Sequence, residues 1–346
     1  MSLAVGEAQR MRYQQIRGTD VSVSEVGFGV WTVASGWWGQ YSDEQAIAML
    51  RAARERGITF FDTADTYGNG RGETILAQAF TPAERAELTY ASKFGYDWKN
   101  SGKDREAGHQ EAPHRFDIPF LENALVESLE RLNTDHLDLW QLHNVRMEHL
   151  HLDEVWTFLD RVKREGKVRS IGVALGPAIG WLDEGLYSFR DRPVDIVHMI
   201  YNALELNPGR ELIKAANETN HSILVRVPHS SGMLEGQYDE NTTFAENDHR
   251  RHRPEAWLRN GVQKIRQLEF LTDGTGRTLG QAALKYVLHD DSVVSALPNI
   301  YNMQQLDEFT AASDVAELND DDMQRIEALF EANYGLPREV EQAVAR

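Results

Sequence analysis

The 346-residue chain has no cysteine, which excludes disulfide bonds and thiolate chemistry. That composition fits a reducing compartment, and a cytoplasmic location is expected. No apolar run approaches the ~20 residues of a membrane span, and the opening Met-Ser-Leu-Ala-Val-Gly-Glu is too short and polar for a secretion signal. Positive charge is scarce: 36 Lys and Arg stand against 54 Asp and Glu, a net charge of -18. Such a surface repels nucleic acid and anionic membrane, so neither is expected as a partner, and an anionic ligand would need cations gathered locally. Two glycine signatures are also missing. Gly27-Phe28-Gly29 is not followed by the dinucleotide-binding spacing, and Asn69-Gly70-Arg71-Gly72 lacks a phosphate-loop lysine and reads as a turn.

What the chain has is a steady alternation of strand-like and helix-like segments. A hairpin-like stretch from Met11 to Val26 precedes a first strand at Gly27 to Trp31. Further strands end at Asp62, Lys93 and His143, then span Val168 to Val173, Val194 to Ile200, Ile223 to Val227 and Val293 to Leu297. Helices are expected over Ser42 to Arg56, Glu73 to Phe80, Phe120 to Leu132, Asp153 to Glu165, Arg210 to Glu218 and Gln304 to Ala312. Ser42 is an N-cap candidate and Gly57 a stop. Eight strands alternating with helices, without a linker, predict an α/β fold. Its form is a single (β/α)8 TIM barrel over 1-346, with a core near 27-330, an N-terminal hairpin and extra helices. A doubly wound open sheet is the alternative.

Four residues stand at or just after successive strand ends: Asp62, Tyr67, Lys93 and His143. A parallel barrel places its active site at those ends. Each residue alone reads more often as structural, Tyr67 as a core aromatic with a satisfied hydroxyl; together they form a proton-handling set. A phenol with its pKa near ~10 is a poor acid at neutral pH. At an effective dielectric near 20, a unit charge ~4 Å away is worth roughly 4 kcal/mol, enough to favour the phenolate by a few units. Lys93 can supply that charge, Asp62 can keep Lys93 protonated, and His143 can orient a carbonyl or share the proton. This chemistry suits protonation of a carbonyl oxygen while hydride arrives from elsewhere. None of the four is a hydride donor, so a nicotinamide cofactor is implied.

Phe61-Asp62-Thr63-Ala64-Asp65-Thr66-Tyr67-Gly68, Ala91-Ser92-Lys93, Asp138 to Asn144 and Gly166 to Val173 together resemble the aldo-keto reductase family, over about Gly27 to Leu329. The resemblance implies a barrel that binds NADP or NAD without the dinucleotide fingerprint. It also implies Tyr67 as general acid, tuned by Lys93 and Asp62, with His143 orienting a small-molecule carbonyl or sugar substrate. The cofactor positions it implies are Gly29, Val30, Trp31, Asp62, His198, Arg226, Pro228, Ser230, Gly232, Asn299, Tyr301, Gln305 and Glu308, with Asn302 a further adenosine candidate. The substrate pocket would use Trp31, Trp38, Tyr67, His143 and Asn144.

The cofactor side departs from the family. Ala174-Leu175 replaces the usual Ser-Asn, His198 the usual Gln, and Arg226 the aromatic residue that usually stacks on the nicotinamide. One reading is a rearranged cofactor site; the other is a ligand-binding or regulatory barrel, or non-redox sugar chemistry, with weakened cofactor binding. The intact tetrad favours the first. Pro298 to Phe309 holds no Lys or Arg for a 2′-phosphate, which favours NAD. His249-Arg250-Arg251-His252-Arg253 reads either as a charge-balanced loop or as a lid over the cofactor pyrophosphate. Trp37-Trp38 reads as exposed and able to stack on a sugar ring, or as rim packing. The Tyr96 to Pro119 segment reads as a substrate cover. His149-Leu150-His151 has a superficial ligand spacing, but no metal is expected. The oligomeric state is left open.

Overall fold

The computed structural model describes residues 11-100, 111-244, 248-253 and 255-337. A short hairpin comes first, with β1 (Tyr13–Gln15) antiparallel to β2 (Ser22–Ser24). Then β3 (Phe28–Gly29), β4 (Phe60–Asp62), β5 (Thr89–Phe94), β6 (Leu137–His143), β7 (Val168–Ala174), β8 (Ile196–Ile200), β9 (Ser222–Arg226) and β10 (Val293–Leu297) pair in parallel, each beside the next in chain order. The ring is closed just before β3. Gly27 N–H donates to Ala296 O at 2.9 Å, and Ala296 N–H to Glu25 O at 2.8 Å. The eight-stranded barrel read from the alternation is therefore the observed architecture.

Side chains alternate along each strand, so the barrel has two cores. Phe61, Tyr90, Phe94, Trp140, Ile171, Val173, Val197 and Val225 pack outward against the helices. Phe60, Ala91, Leu139, Ile196, Leu224 and Val294 form the inner core, joined by Ile16, Val21 and Val23 of the hairpin. The hairpin thus covers the amino-terminal end of the barrel, which leaves the carboxyl ends of the strands open. In-register pairs carry the inward face around the ring: Asp62 opposes Ala91, Lys93 opposes Gln141, His143 opposes Ala174, and Ala174 opposes His198.

The expected helices are present with small shifts at their ends. Ser42 caps Asp43–Glu55 in a reciprocal box with Gln45, and Gly57 follows at φ 89°. The extra helices, expected but not placed from the sequence, include four longer ones, Leu182–Asp191, Glu255–Arg266, Leu279–Val287 and Asp320–Glu331, and three of a single turn, Trp31–Ala34, Pro82–Arg85 and Met147–Leu150. Two of the longer ones carry readable capping boxes, Thr278 with Gln281 and Asn319 with Asp322. Of the Tyr96 to Pro119 segment, 101-110 lies outside the described residues. Its two described ends meet, with Asp97 N–H on Pro113 O at 2.8 Å and Arg115 N–H on Gly95 O at 2.7 Å.

The closing seam leaves no room at Gly27, where a Cβ would lie 2.7 Å from both Leu297 Cδ2 and Phe60 Cδ1. Gly27→Ala is expected to destabilise the barrel by about 1–3 kcal/mol through overpacking, measured as a shift of the urea unfolding midpoint. An unchanged midpoint would show that the seam can relax.

Candidate active site

Lys93 is fully buried, and its ammonium spends its donors on Asp62 Oδ1, on Thr63 O at 2.7 Å and on Tyr67 Oη at 3.1 Å. Burial alone would lower its pKa; Asp62 and Tyr67 outweigh that, and the net shift is upward, so Lys93 stays charged. β4 delivers Asp62 and β5 delivers Lys93, while Tyr67 arrives on the turn that leads into helix Arg71–Ala79. His143, at the end of β6, meets the Tyr67 ring edge-on with centroids 5.8 Å apart. Its main-chain oxygen accepts from His114 Nε2 at 3.0 Å. The four candidates named from the sequence are thus in contact with one another at the open end of the barrel.

The hydrogen bonds extend inward from Asp62. Gln141 Nε2 donates to Asp62 Oδ2 at 3.0 Å, which turns Gln141 Oε1 toward His198 Nδ1 at 3.2 Å. An oxygen acceptor there requires Nδ1 to carry the proton. Burial, then Arg226, Lys93 and His143, hold His198 well below the usual histidine range. Its Nε2 is therefore an unprotonated acceptor. That atom is buried and has no hydrogen-bond partner among the described residues.

Arg226 is half-buried beside this set. Its Nη2 donates to Gly176 O and to Leu175 O at 3.0 Å. Burial lowers its pKa, partly offset by Tyr67, Asp62 and Tyr96. Ala174 and Leu175 are buried and offer no side-chain donor. After β9 the backbone turns through left-handed conformations at Val227 (φ 56°), Ser230 (φ 47°), Ser231 (φ 59°) and Gly232 (φ 90°). A β-branched residue in that region is strained, at a cost on the order of 1–3 kcal/mol. Neighbours hold the turn: Asn202 Nδ2 donates to Val227 O at 3.0 Å, Ser230 Oγ to Glu205 Oε2 at 3.3 Å and Tyr238 Oη to Ser231 O at 3.2 Å. Pro228 lies within the turn. Gly29 and Val30 lead from β3 into the short helix Trp31–Ala34, and Val30 N–H donates to Asp62 O at 2.9 Å.

Of the two readings of Trp38, rim packing is the one observed: 7% of it reaches solvent. It stacks on Tyr301 (5.7 Å, 14°) and meets Trp31 edge-on (6.1 Å, 80°). The Arg250 guanidinium lies 4.6 Å over Trp38 and is held by Asp248 at two points, 2.8 and 2.5 Å. Part of the basic cluster is therefore a strap that ties the loops after β3, β9 and β10 together. Beyond β10, Asn299 and Tyr301 are half-buried and Asn302 caps helix Met303–Thr310. Tyr301 N–H donates to Gln305 Oε1 at 3.0 Å. Glu308 is turned toward the start of helix Leu279–Val287, where it accepts from Thr278 Oγ1 at 2.5 Å.

Glu235 is not among the residues the sequence pointed to. Its Oε2 accepts from Gln305 Nε2 at 2.8 Å and Tyr301 Oη at 3.3 Å. The available signal was an acid between glycines in Gly232-Met233-Leu234-Glu235-Gly236. Glu73 was missed too. It is fully buried, accepting from Ser92 Oγ at 2.5 Å and Arg131 Nε at 2.6 Å, and so pins helix Arg71–Ala79 to β5 beside Lys93. On the opposite side of the open end, Asn144 Nδ2 donates to Tyr96 Oη at 2.8 Å, and Arg146 bonds both Asn144 O and Glu111. His149 stacks on Phe116 and His151 packs edge-on to Tyr187. Among the described residues no group of three or more His, Asp or Glu side chains is placed to hold a metal, and no helix is long and apolar enough to cross a membrane.

A parallel barrel with a lysine-bridged carboxylate and phenol at its open end defines a class of oxidoreductase. Residues 25–331 match the model of the Aldo/keto reductase family, and the chain belongs to that family, whose members use NAD(P)H. It is 27% identical to aldo-keto reductase YhdN of Bacillus subtilis, over 94% of this chain and 96% of that protein. It is 25% identical to an NADH-specific methylglyoxal reductase of Escherichia coli, over 91% and 97%. Its fold matches a glycerol dehydrogenase structure from Gluconobacter oxydans with a TM-score of 0.78 at 23% identity, covering 94% and 97%.

Burial, against hydrogen bonds from Gln305 and the charge of Arg250, raises the Glu235 carboxyl from 4.5 to about 7. The folded state therefore holds this proton longer than the unfolded chain. The associated stability is fully present below about pH 4.5 and is lost as pH rises through 7, an effect of roughly 3 kcal/mol. Glu235→Gln is expected to remove that component. The difference in unfolding free energy between wild type and variant should change between pH 4.5 and 8; a constant difference would contradict the burial argument.

Proposed function

We propose that the protein interconverts a carbonyl (an aldehyde, ketone or sugar) and the corresponding alcohol, with Tyr67 as the proton donor. The observation that carries this reading is the Lys93 ammonium bridging Asp62 and the Tyr67 phenol. In the reductive direction the proton passes from Tyr67 Oη to the carbonyl oxygen. The phenolate left behind faces a cation already in place, so little reorganisation accompanies the transfer. His143, edge-on to Tyr67, is placed to hold the carbonyl oxygen near the phenol. Asn144 and Trp31 are proposed to border the substrate.

The residues fit a nicotinamide cofactor despite the departures. His198 Nε2 is a buried acceptor without a partner among the described residues, suited to a carboxamide N–H. It takes over from the missing Ser-Asn pair. Gly29, Val30, Trp31, Asp62, Arg226, Pro228, Ser230 and Gly232 would border the nicotinamide and pyrophosphate, and Asn299, Tyr301, Gln305 and Glu308 the adenosine. Bound NAD(P)H would supply the hydride, which none of these side chains can. NAD is favoured over NADP, because Pro298 to Phe309 carries no cation for a 2′-phosphate. The Escherichia coli relative, named as NADH-specific, is consistent with that choice.

Tyr67→Phe is expected to lower kcat by about 10²–10⁴-fold while NADH affinity stays within a few-fold, measured by steady-state kinetics and fluorescence titration. Unchanged turnover would remove Tyr67 as the proton donor, and cofactor binding without turnover in the wild type would favour a binding or regulatory barrel instead. Arg226 places a cation where the oxidised nicotinamide would add another. NADH should therefore bind about tenfold or more tighter than NAD, and Arg226→Tyr should narrow the gap. Equal affinities for the two forms in the wild type would remove Arg226 from this role.

A further inference from the structure

We infer that Glu235 makes the far end of the cofactor groove select NADH against NADPH, an inference that rests on the proposed placement of the adenosine beside Tyr301 and Gln305. The absence of a cation after β10 is only half of a specificity device, because it forgoes attraction without adding repulsion. Glu235 adds the repulsion. Only 2% of its side chain reaches solvent, and its Oε2 is the shared acceptor of the two side chains at that end, Gln305 Nε2 at 2.8 Å and Tyr301 Oη at 3.3 Å.

The charges around Glu235 do not cancel it. Arg250 is the cation that faces it, and Asp248 already holds Arg250 at two points. His229 Nδ1 lies 4.0 Å from Glu235 Oε1, but burial lowers the His229 pKa to about 4, so that ring is neutral. Glu308 adds a further negative charge that acts on Glu235. Glu235 and an ion pair of no net charge thus lie against Tyr301. A phosphomonoester on the ribose would bring up to two more negative charges against a buried carboxylate that bulk water cannot screen. The unphosphorylated ribose instead offers hydroxyl donors to an acceptor-rich wall.

The test is binding, measured on the full chain at pH 8, where Glu235 is ionised. Tryptophan fluorescence titrations give Kd for NADH and NADPH. The wild type should favour NADH by more than about tenfold, and Glu235→Gln should shrink that ratio by about tenfold, chiefly by tightening NADPH. A purely structural role would weaken both cofactors alike and leave the ratio unchanged, which would overturn the inference. A second measurement needs no variant: ADP should displace NADH from the wild type, and adenosine 2′,5′-bisphosphate should not. Equal displacement, or a wild-type preference for NADPH, would also overturn it. Binding of neither dinucleotide would refute the oxidoreductase reading itself, and the inference with it; that result is distinct from binding without discrimination.

Discussion

The ammonium of Lys93 is the constraint around which the open end of this barrel is arranged. A fully buried cation is tolerated only with its charge paired and its donors satisfied. Asp62 supplies the charge, Thr63 O a second acceptor and Tyr67 Oη the third. Register makes this possible. β4 and β5 pair so that Asp62 and Lys93 both face inward near the open end, and Gln141 lies opposite Lys93 on β6. Breaking such a pair by removing one partner typically costs about 3–5 kcal/mol. The arrangement that prepares the phenol is therefore also one the fold depends on.

Because the barrel's floor is sealed by the hairpin, strain and polarity collect at the opposite end. The left-handed run after β9 is one instance, and the buried Glu235 is another. These features are held by ties between loops rather than by the barrel itself. Trp38 reaches Tyr301, Arg250 covers Trp38, and Asn202 holds Val227 O. The loops after β3, β8, β9 and β10 are thus coupled through side chains. A substitution in one of them would be felt in the others, and single-residue effects there should not be additive.

The parts of this structure that were legible in the sequence are those written in local periodicity. Each barrel strand is a short apolar run that ends at or near its observed boundary, and Asp62, Lys93 and His143 follow directly from where those runs stop. Helix Leu182–Asp191 was hidden because it starts at Trp181, in a left-handed conformation with no side-chain cap. The choice between exposure and packing at Trp38 stayed open for a different reason. The burial of Trp38 depends on Tyr301 and Arg250, each more than two hundred positions away in the chain, so nothing next to it in sequence could report the stack. Glu235 and Glu73 were overlooked because a lone acid carries no periodic signal. Their meaning comes from burial, which only the assembled fold supplies.

Charge is distributed unevenly along the open end, although the chain as a whole carries -18. Near Tyr67, Lys93 and Arg226 both feel the carboxylate of Asp62 among the described residues. Beside Tyr301, Glu235 adds negative charge once it ionises, and Asp248 has already neutralised the facing Arg250. Long-range attraction cannot build the first environment on so acidic a surface, because exposed charges are screened within about 10 Å at 0.1 M salt. Burial can, because a guanidinium or ammonium held out of water acts at short range with little screening. Lys93 and Arg226 stand at inward-facing strand positions, whereas Glu235 and Glu308 come from the turn after β9 and the helix after β10, so one acidic protein keeps cations and acids apart along its open end.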